Sequence, residues 1–439
     1  MHLFRLWLAA IVISFAAAQP ARAVTLIRDA EIEHALEQLA APILRAAGLS
    51  PNNVRILIID DRSLNAFVLD GRAIFLHSGL LLKMETAGQL QAIIAHEAAH
   101  ISNGHITRRM TNLRASRNTA AFGMALAAAV AMSTGRGDAA AGLAAGIAGS
   151  SQRNLFAHTR AEESAADQSG TRYMLRAGVD PTAALEVLEV FRGQEALSIG
   201  RQDPYARTHP LTADRMRALR ALIAANPGTP TDQSSAEYWF ARAQGKLSAF
   251  TQNPAWTLRR TGNDTSAIAQ MRRAVAYHRQ ADAGRAINTM QALLAANPND
   301  AYFHELFGQI LLESRQPAAA VNAYGRAVNL APNEPLILGG YGRALLALDT
   351  SDSTRRAIDA LQRARDRDPL DGRILRDLGQ AYARAGQNGM ASLATAERYA
   401  LAGRMRDAAL HASRAADQLP RGSVPWLRAQ DVISAAQTR

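Results

Sequence analysis

Between Asp29 and Ala47 apolar residues recur every three or four positions, the period of a helix with one buried face, and Gly48 and Pro51 close the stretch. The β-branched run from Val54 to Asp60 predicts a strand. Two further strand-like runs, 65–69 and 73–77, flank Asp70-Gly71, a dipeptide suited to a two-residue hairpin turn because both turn positions need positive φ. A helix is expected from Thr86, with Thr86 and Gln89 at capping-box spacing and Leu90, Ile93 and Ile94 as its buried stripe; it runs on through His96 and His100. A second polar-faced helix covers Arg160 to Arg176. Gly178 and Pro181 end it, a loop containing His209-Pro210 follows, a further helix starts near Thr212, and 226–230 (Asn-Pro-Gly-Thr-Pro) reads as a boundary.

Beyond that boundary the pattern repeats. Pro298 and Pro332 lie 34 residues apart, and Gly308, Leu311, Ala320, Tyr324 and Ala327 between them occupy the packing positions of a tetratricopeptide repeat. The next unit carries Gly342, Leu345, Ala357, Leu361, Ala364 and Pro369, in register if residues 350–352 are a three-residue insertion in the inter-helix turn. An earlier unit has Ala274, Tyr277, Ala286 and Pro298, and a degenerate one runs to Pro420. Such helix pairs stack into a superhelix whose concave face often binds peptides or partner proteins. The expected organisation is a cleavable leader over 1–23, a first domain over 24–230, a helical connector over 231–265 and a repeat domain over 266–439.

Composition changes this picture in three places. Arg5, the apolar run 6–18 and Ala21-Arg22-Ala23 form a secretory signal, which predicts a mature start at Val24. The chain has no cysteine, so it has no disulfide, thiolate ligand or lipidated cysteine, and a metal here must be held by His and carboxylate. The net charge of +11 comes almost wholly from arginine, since Lys83 and Lys246 are the only lysines. The arginines are interleaved with acids and no basic block carries stacking aromatics, which argues against a nucleic-acid partner. The Ala/Gly-rich stretch 119–150 predicts two closely packed helices, too short to span a bilayer, with peripheral membrane contact as the alternative.

The chemistry lies in His96-Glu97-Ala98-Ala99-His100. On a helix the two histidines are 400° apart, so both imidazoles face one way and can share a metal, while Glu97 beside them is placed to take a proton from the attacking water. A third protein ligand is required. His105 follows His96 by nine residues, and the 900° between them puts it on the opposite helix face. Nor does it match the metzincin spacing, where Ile106 and Asn103 stand at the key positions. It is read as structural. Glu163 is the better candidate, with Asp167 one turn on suited to orienting a zinc-bound histidine.

H-E-x-x-H followed after a long insertion by E-x-x-A-D resembles the gluzincin family of the CAAX prenyl proteases, the heat-shock protease HtpX, the mitochondrial Oma protease and their periplasmic relatives. Asn65-Ala66-Phe67 is similar to the family's edge-strand motif, Arg160 to its arginine before the Glu ligand, and His209-Pro210 with Arg215 to an H-P-x-x-x-x-R element; the likeness covers residues 30–225. The resemblance implies a mainly α zincin domain with a small β-sheet, joined here to the repeat superhelix. It implies one zinc held by His96, His100 and Glu163, Glu97 as base, Asp167 as support, and a His209 that can close the site as a self-inhibiting fourth ligand; oxyanion support and simple packing stay open as other roles of His209. Repeat-bearing members of the periplasm degrade unfolded or misassembled proteins and assist outer-membrane protein assembly. The expected activity is therefore zinc endopeptidase, with the outer-membrane assembly machinery as partner through the repeats. The rival expectation is a peptide-binding chaperone or scaffold whose repeats do the work.

Overall fold

The computed structural model describes residues 25–69, 71–108, 111, 159–194, 197, 201–210, 213–229 and 231–437. The expected leader and the stretch 119–150 lie outside them. Among the described residues no helix is long and apolar enough to cross a membrane.

Strand β1 (Leu26–Ile27) leads into helix α1 (Ala30–Ala46), which the Asp29 side chain caps by accepting from the Ile32 backbone N–H. Strands β2 (Arg55–Ile59), β3 (Ala66–Val68) and β4 (Ala73–His77) complete a four-stranded sheet of order β1-β2-β4-β3. β2 and β4 are parallel, whereas β3 stands at one edge, antiparallel to β4. The pairing Ala66↔Leu76, Phe67↔Phe75, Val68↔Ile74 places residue 71 at the tip. The hairpin is thus an odd-numbered loop with Gly71 at φ +78°, not the expected two-residue Asp-Gly turn.

Helix α2 (Ser78–Lys83) turns the chain into α3 (Ala87–Ser102), the helix of the H-E-x-x-H motif. The Thr86 side chain accepts from Gln89 N–H as expected, but the Gln89 side chain returns to the Glu85 N–H instead of completing the box at Thr86. Every residue of α3 from Gln89 to His100 is buried. A helix buried all round needs cover on every side. Here α1, the sheet, α4 (Arg160–Arg176), α5 (Thr182–Val190) and α8 (Ser234–Thr251) supply it. Between α5 and α8 lie the short α6 (Pro204–Thr208) and α7 (Ala213–Ala225).

After α9 (Pro254–Thr261) come five stacked helix pairs: α10 (Ala267–Arg279) with α11 (Ala283–Ala296), α12 (Ala301–Glu313) with α13 (Pro317–Leu330), α14 (Pro335–Ala347) with α15 (Ser351–Arg367), α16 (Gly372–Arg384) with α17 (Asn388–Leu401), and α18 (Met405–Gln418) with α19 (Val424–Gln437). The expected three-residue insertion does not lengthen a turn. Helix α15 has 17 residues against 14 in α11 and α13, so the extra residues are absorbed at its start, where Thr350 and Ser353 form a capping box.

The repeats grip the first domain directly. Ala30 of α1 packs with Ala301, Ala327 and Ile337. Arg28 pairs with Glu33, Asp368 and Asp371, and Arg55 with Glu33 and Asp368. From α8, Arg242 pairs with Glu31 and Asp300, and Lys246 reaches Asp29 at 3.0 Å, Glu31 at 3.3 Å and Glu305 at 3.4 Å. Helix α8 also places Phe240, Ala243 and Leu247 in the same core as α3, so it does more than connect.

Candidate metal centre

Two helices build the centre. On α3, one turn separates His96 from His100, and their Nε2 atoms lie 3.1 Å apart. Opposite runs α4, whose start is fixed by a capping box between Thr159 and Glu162. The helices approach closely because Gly170 has no side chain: a Cβ there would come within 3.3 Å of the backbone of Ala95 and His96. That approach carries Glu163 to the histidines, with Oε2 3.4 Å from His96 Nε2 and Oε1 3.4 Å from His100 Nε2. One turn on, Asp167 Oδ1 lies 3.2 Å from His96 Nδ1, on the far side of that ring.

His209 enters from the end of α6. Its Nδ1 lies 3.3 Å from His96 Nε2 and 3.0 Å from Glu163 Oε1, and its Nε2 lies 3.4 Å from Glu97 Oε1. The segment is held by Tyr205, whose ring packs on His209 and on Phe191 and whose N–H donates to the Leu64 carbonyl just before the edge strand. Arg215 of α7 clamps both sides. It donates to both Asp167 oxygens at 2.7 and 2.8 Å, meets Glu163 Oε2 at 2.7 Å, and donates to the Pro210 carbonyl at 3.0 Å.

The donor set fits a tetrahedral zinc ion. Ligands at about 2.1 Å from such an ion stand roughly 3.4 Å from one another. The five separations among His96, His100, Glu163 and His209 given above run from 3.0 to 3.4 Å. The ligand atoms of all four residues lie within 4.8 Å of one another. Without a metal ion the converging lone pairs need a proton among them, and His96 takes it up. Burial works against a charged His96, yet Glu163 and Asp167 outweigh it and push the imidazole up to about 10. Burial, with His96 and His209 nearby, drives His100 well below its ordinary value. Glu163 is held well below the usual carboxylate range despite burial, chiefly by His209 and His96. A metal taken up at His96 Nε2 would displace that proton, since a ligand nitrogen needs its lone pair.

A model of peptidase family M48 matches residues 26–223, the stretch that holds every group of this centre. Residues 26–223 are a peptidase family M48 domain. The chain is 28% identical over 412 residues to the β-barrel assembly-enhancing protease of Escherichia coli (strain K12), a match that covers 92% of this chain and 82% of the relative. Over 181 residues it is 28% identical to mitochondrial metalloendopeptidase OMA1 of Schizosaccharomyces pombe, covering 41% of this chain and 50% of that one. Over 186 residues it is 25% identical to the metalloprotease LoiP of Escherichia coli (strain K12), covering 40% and 64%. The protein is a zinc-dependent metalloendopeptidase with a mainly α fold.

The centre therefore gathers His96, Glu97, His100, Glu163, Asp167 and His209, each singled out from the sequence. Three neighbours were not foreseen in their roles. Arg215 was visible only as the end of a motif, and its double grip on Asp167 and Glu163 depends on α7 folding back over α4. His105 does not lie on the opposite face as expected. Helix α3 ends at Ser102 and the chain turns at Gly104, which returns the His105 ring to His100. For Tyr205 the sequence holds no signal.

Proposed function

We propose that His96, His100 and Glu163 hold the zinc, that Glu97 is the general base and that Asp167 orients His96, within a peptidase unit over 24–230 followed by a connector and the repeats. The observation that carries this is the set of separations near 3.4 Å among the donor atoms. Bound there, zinc supplies a Lewis acid for peptide hydrolysis. Glu97, fully buried next to the cluster, takes the proton of the attacking water and returns it to the leaving amine. Asp167 accepts the His96 Nδ1 proton and leaves Nε2 free to ligate, and Arg215 keeps that carboxylate ionised and aimed.

His209 serves as an inhibitory ligand. Its Nδ1 stands at ligand distance, and the whole cluster is buried, so an extended polypeptide has no access while α6 stays docked. Withdrawal of α6 uncovers both the metal face and the backbone beside β3, whose outer edge can accept a substrate strand. Such binding reads backbone more than side chains and favours unfolded or misassembled proteins. The likeness to a β-barrel assembly-enhancing protease, together with the secretory signal, supports action in the bacterial periplasm in protein quality control and outer-membrane protein assembly, with assembly machinery engaged through the repeats.

The test is metal analysis of the mature chain together with cleavage of casein and of an unfolded outer-membrane barrel. Glu97→Gln is expected to keep its zinc and lose cleavage by about 10²- to 10⁴-fold. Near wild-type cleavage by that variant defeats the mechanism. His209→Ala is expected to raise basal proteolysis, including self-cleavage; a fall in kcat with zinc retained would instead make His209 an oxyanion donor.

A further inference from the structure

We propose that His105 is a positioning residue for the peptidase reaction, fixing the tautomer and ring orientation of His100; the inference rests on the zinc reading above. His100 turns Nε2 toward His96 and Glu163, so its Nδ1 faces the other way. There it meets the Nδ1 of His105 at 2.9 Å, with ring centroids 5.0 Å apart and His105 buried. Only one proton fits between two ring nitrogens. A neutral His100 that offers its Nε2 lone pair to a metal carries its proton on Nδ1, so it donates and His105 Nδ1 accepts. That in turn places the His105 proton on Nε2.

The two histidines of the motif are thus supported differently. His96 donates to a carboxylate, Asp167, itself clamped by Arg215, whereas His100 donates to a neutral ring. The backbone is shaped for this contact. Helix α3 stops at Ser102, Gly104 takes φ +70°, and residues 105–108 are helical again, so His105 begins a new turn beneath His100. Among the described residues nothing lies within 4 Å of a Cβ built on Gly104, whose positive φ is itself a reason for glycine there.

Without an acceptor at His105, the His100 proton is free to move to Nε2, where it blocks the lone pair, and the ring loses its anchor. Loss of such a partner costs about 10- to 100-fold in metal affinity. The experiment measures the zinc affinity of the full mature chain by competition with a chromophoric chelator, alongside kcat and KM, for wild type and for His105→Leu, His105→Asn and His105→Gln. Asn presents its carbonyl oxygen at the same number of bonds from Cα as the Nδ1 it replaces, while Gln presents it one bond further out. The expected order is wild type and Asn tight, with Gln and Leu weaker and the Leu loss in that 10- to 100-fold range. Wild-type affinity in Leu, or equal losses in Asn, Gln and Leu, overturns the proposal. If Leu fails to fold, the Asn–Gln comparison decides it. A wild-type chain that binds no zinc at all refutes the metal reading itself, a result distinct from either.

Discussion

The molecule buries two dense clusters of charge, and they differ in kind. At the junction of the peptidase domain and the repeats, Arg28, Arg55, Arg242 and Lys246 meet Asp29, Glu31, Glu33, Asp300, Glu305, Asp368 and Asp371. Each contact there joins a donor to an acceptor, and the Arg242 guanidinium also lies 4.1 Å from the centre of the Phe303 ring. The excess of acid is relieved within the protein, since burial pushes Glu305 up to about 7 despite the nearby Lys246. At the metal centre the short contacts bring together atoms that can all offer a lone pair, such as the Nε2 atoms of His96 and His100, and without a metal only a proton bridges them. Folding alone completes the first cluster, whereas the second needs a cation. Buried charge and displaced pKa values are common to both and so do not mark the active site by themselves. Convergent lone pairs do.

The largest effect expected from breaking this contrast is at Glu163. Glu163→Ala removes one donor and should weaken zinc binding at least about tenfold and abolish cleavage of unfolded protein. Full metal retention by this variant, measured on the purified chain, would move the third ligand elsewhere.

At the junction the equivalent cut should act on stability and leave the metal alone. The Arg242 side chain is 1% exposed, and its removal leaves the fully buried Glu31 with Lys246 as its remaining ion-pair partner. Breaking one partner of a buried pair costs about 3–5 kcal/mol, so Arg242→Met should lower the unfolding free energy in urea by that amount while zinc stoichiometry stays unchanged. Adding Glu31→Leu should restore part of the loss, because the under-paired carboxylate goes with it while Lys246 keeps Asp29 and Glu305. A neutral Arg242→Met would mean that Lys246 alone satisfies Glu31.

The same contrast explains what could be read from the chain. The H-E-x-x-H helix was legible because both of its signals are local: a capping threonine and a stripe at Leu90, Ile93 and Ile94. The repeats were legible because one packing unit recurs. Glu163 and Asp167 were reachable because one helical turn separates them and the resemblance supplied their partner helix. The junction was not. Arg28 and Asp371 are 343 positions apart, and an arginine bound for a buried fork looks in sequence like any other among many interleaved with acids. The turn at Gly71 and the placement of the three extra residues in α15 failed for another reason. Turn residues report that the chain bends, while the register of the flanking elements decides where the extra length goes. His105 failed because the helical-wheel argument assumed that α3 continues past Gly104.

The smallest effect concerns acid, and it isolates one bridge of the junction. Burial opposes ionisation of Asp368, but Arg28 and Arg55 outweigh it and hold the carboxyl below its ordinary value of 3.8. The folded chain therefore keeps Asp368 ionised to lower pH than the unfolded chain does. This contribution is fully present above the unfolded pKa and fades as pH falls through the folded one, a window below about pH 4. Glu163 and Asp167 are also held low and titrate in acid, and zinc is released there as well. The measurement is therefore made on metal-free protein, as the difference between wild type and Asp368→Asn in urea midpoint from about pH 5 to about pH 3. Wild type should be the more stable at the upper end, and the gap should narrow toward the lower end. The guanidinium groups of Arg28 and Arg55 stay charged throughout, so the change follows Asp368 alone. A gap that does not vary with pH would show that the Asp368 carboxylate contributes no charge-dependent stability and that the repeats are held to α1 by the apolar contacts of Ala30 and the other bridges.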